Sequence, residues 1–470
     1  MTEKYADFSY IANNDESIKL MLESIGLSSL EQLFEDIPNH FRLTKKPSEI
    51  LPNSHTELEV DRRMAYLSKK NLDSTIADSY LGSGIYDHYA PAGVAEIMGR
   101  AEFRTAYTPY APELSQGLLT TLYEYQSMLC ELTGLDIANT SMYDWATALG
   151  ESALMAMRIT HKKNPVILIA ESIHQDRLAT LSTVAKPLGL TINPISFTEN
   201  GELDLIQLEK ELTDSVIALY IENPNLFGVL ESNIKKLSDI VHTKDALLIV
   251  GVDPISLGIL ESPGNLGADI CVGEAHHLGS PSNFGGPALG ILVSRNTKNN
   301  VRNMPGRIIG YTRTKDDSND AYVMTLQTRE QHIRREKATS NICTNESLYS
   351  VAAATYLSLM GPKGLEDLGI ELLGRTEYVA TKLRKADTTV KIHFNAHYFK
   401  ELFISVPKGQ YKTLKQMLLK KDILIGPNIV ENRFSNLQVD GFVLSFTEKH
   451  TKEQLDKLTD ELISFGKGGK

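Results

Sequence analysis

Three short apolar runs constrain this chain more than any other feature: Pro165-Val-Ile-Leu-Ile-Ala170, Ser215-Val-Ile-Ala-Leu-Tyr-Ile221 and Ala246-Leu-Leu-Ile-Val-Gly-Val252. Continuous apolar runs of this length read as strands covered on both faces. Between them lie segments with helical spacing, residues 175–188 and 205–212. This alternation predicts a parallel α/β sheet. A chain of 470 residues, 42% of them hydrophobic, has enough apolar material for a large core in two or three structural units.

The other segments group around that sheet. Residues 1–75 are polar with a helical pattern, and they predict an N-terminal arm with too little apolar surface for a core of its own. Residues 76–330 read as a large α/β domain, with a long helix at 115–132 for which Ser115 is a candidate cap. Residues 331–470 read as connecting helices and a smaller α+β domain. Helices are expected at 345–360 and 364–385, broken by Gly361-Pro362, and at 411–420 and 452–465. Strands are expected at 401–406 and 441–446, and residues 316–320 read as a surface loop.

Composition excludes several classes. A net charge of −11 argues against a general nucleic-acid binder. No apolar run is long enough to span a bilayer, and the N-terminus lacks the basic and apolar regions of a secretory signal, which gives a cytoplasmic expectation. Cys130, Cys271 and Cys343 are widely spaced with no CxxC pair, so they read as buried reduced thiols. No cluster with metal-ligand spacing is present in the sequence.

Two positions suggest cofactor chemistry. Asp253 ends the third apolar run, where open α/β sheets bind ligands. In a pyridoxal-phosphate (PLP) enzyme such an aspartate pairs with the pyridinium nitrogen. An Asp-Pro pair also caps turns, and that reading stays open. The stretch Gly273-Glu-Ala-His-His-Leu-Gly-Ser-Pro-Ser-Asn-Phe-Gly-Gly-Pro287 is built like a PLP lysine loop, but it has no lysine. Imidazole at His276 or His277 cannot supply the required amine. The simplest reading places one histidine in the former lysine site and the other at the surface.

Two polar segments are further candidates. Residues 102–117 form a proline-stiffened stretch ahead of a helix, the usual setting for binding residues. Residues 328–344 are densely charged and end in a polar run that suggests a fixed interface loop. Lys337 is the rival anchor for PLP, but its Arg-Arg-Glu-Lys surroundings offer no desolvation to lower its pKa.

The segments Tyr86-Asp-His-Tyr-Ala-Pro91, Tyr107-Thr-Pro-Tyr-Ala-Pro-Glu-Leu-Ser-Gln-Gly117, Ser141-Met-Tyr-Asp-Trp-Ala-Thr-Ala148 and residues 327–344 resemble the P-protein (glycine decarboxylase) family of the glycine cleavage system, and most closely the alpha chain of its two-chain form. The resemblance implies a PLP-transferase-like (fold type I) large domain and an α2β2 assembly in which the beta chain carries the lysine and the PLP. It places His276 at the lysine position, where alpha chains often have Gln, and Asp253 at the pyridine-nitrogen position. Trp145 stands where the family's pattern usually has Gly, which implies a degenerate pocket with no cofactor of its own. The implied reaction is oxidative decarboxylation of glycine, with the aminomethyl group passing to the lipoyl arm of the H-protein. Tyr107, Tyr110 and Glu113 are then candidates to contribute to the partner's site, and Asn283, Phe284, Gly285 and Gly286 are candidates to lie near the partner's PLP. Two alternatives remain: a self-sufficient PLP enzyme using another lysine, and a purely structural partner.

Overall fold

The computed structural model describes residues 13–43, 45, 47–51, 54–72, 76–105, 108–343, 345–431 and 433–468. The chain divides into two compact units, Met1–Leu72 and Asp73–Lys470. In the first, the helices Asp15–Ser24 and Glu57–Ser68 begin at side-chain caps: Asn14 accepts from the Ser17 N–H, and Thr56 forms a capping box with Glu59. Leu22 is its one buried residue among those described.

The second unit is organised by a seven-stranded sheet. Its strands are β1 (Ile137–Ala138), β2 (Val166–Ala170), β3 (Thr191–Ile195), β4 (Val216–Asn223), β5 (Leu247–Val252), β6 (Ile270–Glu274) and β7 (Gly290–Ser294), in the spatial order β1-β7-β6-β5-β4-β2-β3. The three apolar runs become β2, β4 and β5, adjacent and parallel. β4 and β5 are almost wholly buried, as continuous hydrophobicity requires. The all-parallel expectation needs one correction. β7 runs antiparallel to both β6 and β1. Residues 275–289 return the chain without a helix, and a connection lacking a crossover helix suits antiparallel neighbours.

Helices Gln116–Thr133, Trp145–Thr160, Gln175–Ala185 and Ile234–His242 accompany this sheet. Ser115 stands at the start of the first but makes no capping bond through its side chain. The helical run Ser347–Lys385 breaks at Gly361 (φ 60°, ψ 178°) just before Pro362, so it is two helices, as the Gly-Pro pair predicts.

The smaller sheet pairs Lys391–Ile392, Glu401–Pro407 and Val439–Ser445 antiparallel. Helices Tyr411–Leu419 and Lys452–Gly466 join it through a core that includes Leu402, Leu414, Phe442 and Leu458. Residues 78–80 belong with this sheet's surroundings: Asp78–Ser79 pairs with Ile423–Leu424, and Tyr80 lies in the same core. The chain therefore passes from the core beside the smaller sheet to the core of the larger one between Tyr80 and Val94. A hairpin, Ile308–Arg313 with Asp320–Thr325, was not expected from the sequence; residues 314–319 form its turn, so the loop expected at 316–320 ends before Asp320, which belongs to the strand. Of the thiols, Cys271 is buried, Cys130 is partly buried and Cys343 is exposed, which corrects the expectation for Cys343.

Candidate functional site

Asp253 directly follows β5 at the carboxyl end of the parallel strands, and it is 2% exposed. Its Oδ1 accepts from the Ile255 N–H at 3.1 Å, so it does cap the following turn. The same oxygen meets Nε2 of His277 at 2.9 Å. Oδ2 lies 2.5 Å from Nζ of Lys400, a fully buried lysine just ahead of the strand Glu401–Pro407. The aspartate expected to face a pyridinium thus faces a lysine that precedes a strand of this chain's own smaller sheet.

Lys400 has further partners. Its Nζ is 2.8 Å from Nε2 of His88 and 3.5 Å from the centre of the Tyr86 ring, a cation–π arrangement. His88 Nδ1 lies 2.7 Å from Glu448 Oε2. Burial and the neighbouring Lys400 push the His88 imidazole down to about 4. A neutral ring then accepts from Lys400 at Nε2 and donates to Glu448 at Nδ1, which fixes its tautomer. Burial alone would raise the Asp253 carboxyl, but Lys400 and His277 outweigh it and hold Asp253 well below the usual carboxylate range. Burial pushes the Glu401 carboxyl the other way, up to about 7, although it accepts from the Ser83 N–H and Tyr86 Oη.

Trp145 begins its helix beside this cluster. Its indole N–H donates to Tyr220 Oη at 3.0 Å, and the Arg177 guanidinium lies over its ring at 3.6 Å. Arg177 pairs with Glu222 at 2.6 Å, and Tyr220 donates to the same carboxylate. The start of a helix is a natural phosphate anchor because its N–H groups are free. Here the Trp145 N–H points to Glu274 Oε2 at 3.3 Å and the Thr147 N–H to Asp144 Oδ1 at 2.6 Å.

His276 and His277 are both 1% exposed, which corrects the expectation that one reaches the surface. His277 is drawn inward by Asp253. His276 stacks near Tyr349, with ring centres 6.1 Å apart, and neither of its nitrogens has a hydrogen-bond partner among the described residues. Burial, with His277 nearby, lowers it to about 4.

PLP does not fit these residues. The loop that the resemblance gives to its amine anchor holds imidazoles, the aspartate expected to pair with its ring nitrogen is paired with Lys400, an indole lies beside the sheet end, and carboxyl groups take N–H groups at the helix start. Sequence reasoning singled out Asp253, His276 and Trp145 but not Lys400. Tyr86 and His88 fall in a segment that carried the family resemblance, yet nothing there marked them as pocket residues.

The remaining candidates lie elsewhere. Asn283 to Gly286 form an exposed turn closed by Asn283, with Phe284 (φ 54°) 87% exposed. Tyr110 is exposed and meets the 328–344 segment: its ring centre is 6.0 Å from that of His332, and its Oη accepts from Arg307. Glu113 is exposed in the short turn Pro112–Leu114. Tyr107 lies outside the described residues. Lys337 is exposed. No group of three or more potential metal ligands is found among the described residues.

Comparison with known proteins identifies the family and the fold. The family described as glycine cleavage system P-protein matches residues 8–462. Proteins from Pyrococcus abyssi and Thermococcus onnurineus, each called probable glycine dehydrogenase (decarboxylating) subunit 1, are similar to this chain. The first is 43% identical over 453 residues, covering 96% of this chain and 98% of that protein. The second is 44% identical over 451 residues, covering 96% and 97%. The inhibitor-bound crystal structure of glycine decarboxylase (P-protein) superposes with a TM-score of 0.82 at 33% identity, covering 97% of this chain and 100% of that one. An apo cysteine desulfurase from Thermococcus onnurineus NA1 shares the fold at a TM-score of 0.61 and 16% identity, covering 89% and 100%.

Proposed function

This chain belongs to the glycine cleavage system P-protein family, and we propose that it is the alpha chain (subunit 1) of a two-chain glycine dehydrogenase (decarboxylating) whose PLP is held by the other chain. Its fold is that of the type I PLP-dependent enzymes. With a beta subunit, in an α2β2 assembly, it decarboxylates glycine and passes the aminomethyl group to the lipoyl arm of the H-protein. The chemistry belongs to the cofactor, and this chain supplies walls and orientation.

The Asp253–Lys400 pair carries the reading. A chain that binds PLP at the sheet end needs that carboxylate for the ring nitrogen, and here a fully buried lysine neutralises it. Tyr110, Glu113 and the turn at Asn283–Gly286 are the surface features proposed to border the partner's site. The nearly bare Phe284 ring, held out on a left-handed turn, supports the assignment. Among the described residues no helix is long and apolar enough to cross a membrane, which fits the cytoplasmic setting proposed for this enzyme.

Borohydride reduction tests the assignment. With PLP present, peptide mapping of the reconstituted complex is expected to find the reduced adduct on a beta-subunit lysine. This chain alone is expected to show no glycine–bicarbonate exchange. A stoichiometric adduct on one of its own lysines overturns the reading.

A further inference from the structure

A second recess lies away from the filled pocket. It is lined by Arg307, Arg329, Glu330, Thr339 and Ser340. The Arg307 side chain is 10% exposed. Its Nη2 donates to the Cys343 carbonyl at 3.2 Å and to Tyr110 Oη at 3.4 Å. Nε and Nη1 are buried and have no hydrogen-bond partner among the described residues. Glu330 Oε2 stands 3.9 Å from Nε, beyond hydrogen-bonding range.

Buried donors without acceptors are costly and uncommon, and those of a guanidinium more so. Water could meet one N–H, but the charge of the recess favours an anion. Arg329 spends its N–H groups on the carbonyls of Met304 and Gly306, neutral acceptors that leave its charge in place. Within the lining two guanidinium groups thus face one carboxylate, Glu330, while Glu151 behind Ser340 interacts with Arg158. Thr339 adds a hydroxyl to the wall, while the Ser340 hydroxyl is already engaged with the Glu151 carboxyl behind it. The recess also joins two candidate segments, one through Tyr110 and the other through residues 329–343.

We propose that this recess binds a small oxyanion, a carboxylate or a phosphate group, with Arg307 as its principal ligand. The site stands on the recess itself. Its natural source rests on the proposed function: the carboxylate of a small amino acid, or the phosphate of a cofactor held by a partner chain.

Calorimetric titration of the full chain, without partner or PLP, tests this. Inorganic phosphate and acetate are titrated at constant ionic strength into the wild type, Arg307→Gln, and Arg313→Gln, an exposed arginine on the hairpin. Saturable binding is expected in the wild type and in Arg313→Gln. Losing a charge-assisted contact should weaken it by about tenfold or more in Arg307→Gln. Preference for phosphate assigns the cofactor source, and binding of acetate at least as tight assigns the amino-acid source. If Arg307→Gln fails to fold, Arg307→Lys keeps the charge but loses the planar fork, and weaker binding is expected there too. No saturable binding of either anion to the wild type, or unchanged binding in the folded variants, overturns the proposal. Because the titration needs no partner, its failure leaves the subunit reading standing, and a PLP adduct on this chain would remove that reading without touching the recess.

Discussion

Nζ of Lys400 lies 2.5 Å from Oδ2 of Asp253, and the two buried side chains flank strands of different sheets. Taking both charges out of water is expensive, and removing one partner strands the other. Lys400→Met is therefore expected to cost about 3–5 kcal/mol in urea unfolding. Asp253→Asn retains an acceptor for His277 and the Ile255 N–H. The double variant Lys400→Met/Asp253→Asn should accordingly be more stable than Lys400→Met alone. Additive losses would mean that the two charges do not act as a pair.

Trp145 is the chain's only tryptophan, so its fluorescence reports on the pocket directly. It is 5% exposed and bonded to Tyr220. Its emission should resist quenching by acrylamide. After correction for absorbance, added PLP should leave it unchanged. Saturable quenching by PLP would show that the pocket admits the cofactor. Trp145→Ala should cost about 3–5 kcal/mol, the usual range for emptying a buried aromatic site.

His276 gives a pH dependence with a definite sign. In the unfolded chain it takes up a proton near 6.5, whereas burial delays uptake in the folded chain to about 4. Between those values the unfolded state binds more protons, so stability falls as the pH drops. The full window is worth about 3 kcal/mol. His88 acts in the same direction. Glu274 and Glu401, both raised to about 7, oppose them, because the folded state holds their protons between roughly 4.5 and 7. Comparing the wild type with His276→Leu isolates one term: the variant should lose less stability between pH 7 and pH 4. Parallel stability curves would show that His276 titrates normally in the folded chain.

The parts of the fold that announce themselves locally were legible in the sequence. Continuous apolar runs gave β2, β4 and β5, and the Gly361-Pro362 pair gave the helix break. Asp253 was legible because it ends a buried strand. Lys400 was not, because a lysine ahead of an apolar strand reads as a solvated strand end, and its partner follows a strand of another sheet far away in the chain. The burial of both His276 and His277 escaped for the same reason: the carboxylate that draws His277 inward is distant in sequence. The hairpin at 308–325 was missed because its outer residues are exposed and lack an apolar alternation. Trp145 was legible only as a departure from a family pattern, and its Tyr220 and Arg177 partners became visible only in three dimensions.

Gly251 offers the sharpest test that the pocket is filled from within. It sits in β5 beneath the indole, and a Cβ there would fall 2.5 Å from Tyr220 Oη and 2.8 Å from Trp145 Cζ2. Neither atom yields easily, since the two rings are bonded to each other and Tyr220 is bonded to Glu222. Gly251→Ala is thus expected to destabilise the chain by about 1–3 kcal/mol through overpacking. With the indole removed, the added methyl should meet far less resistance. The penalty for Gly251→Ala in a Trp145→Ala background should shrink, giving a coupling energy of about 1 kcal/mol or more between two residues in contact. Equal penalties in the two backgrounds would mean that the indole does not occupy the space above β5, and would reopen the sheet end to a ligand.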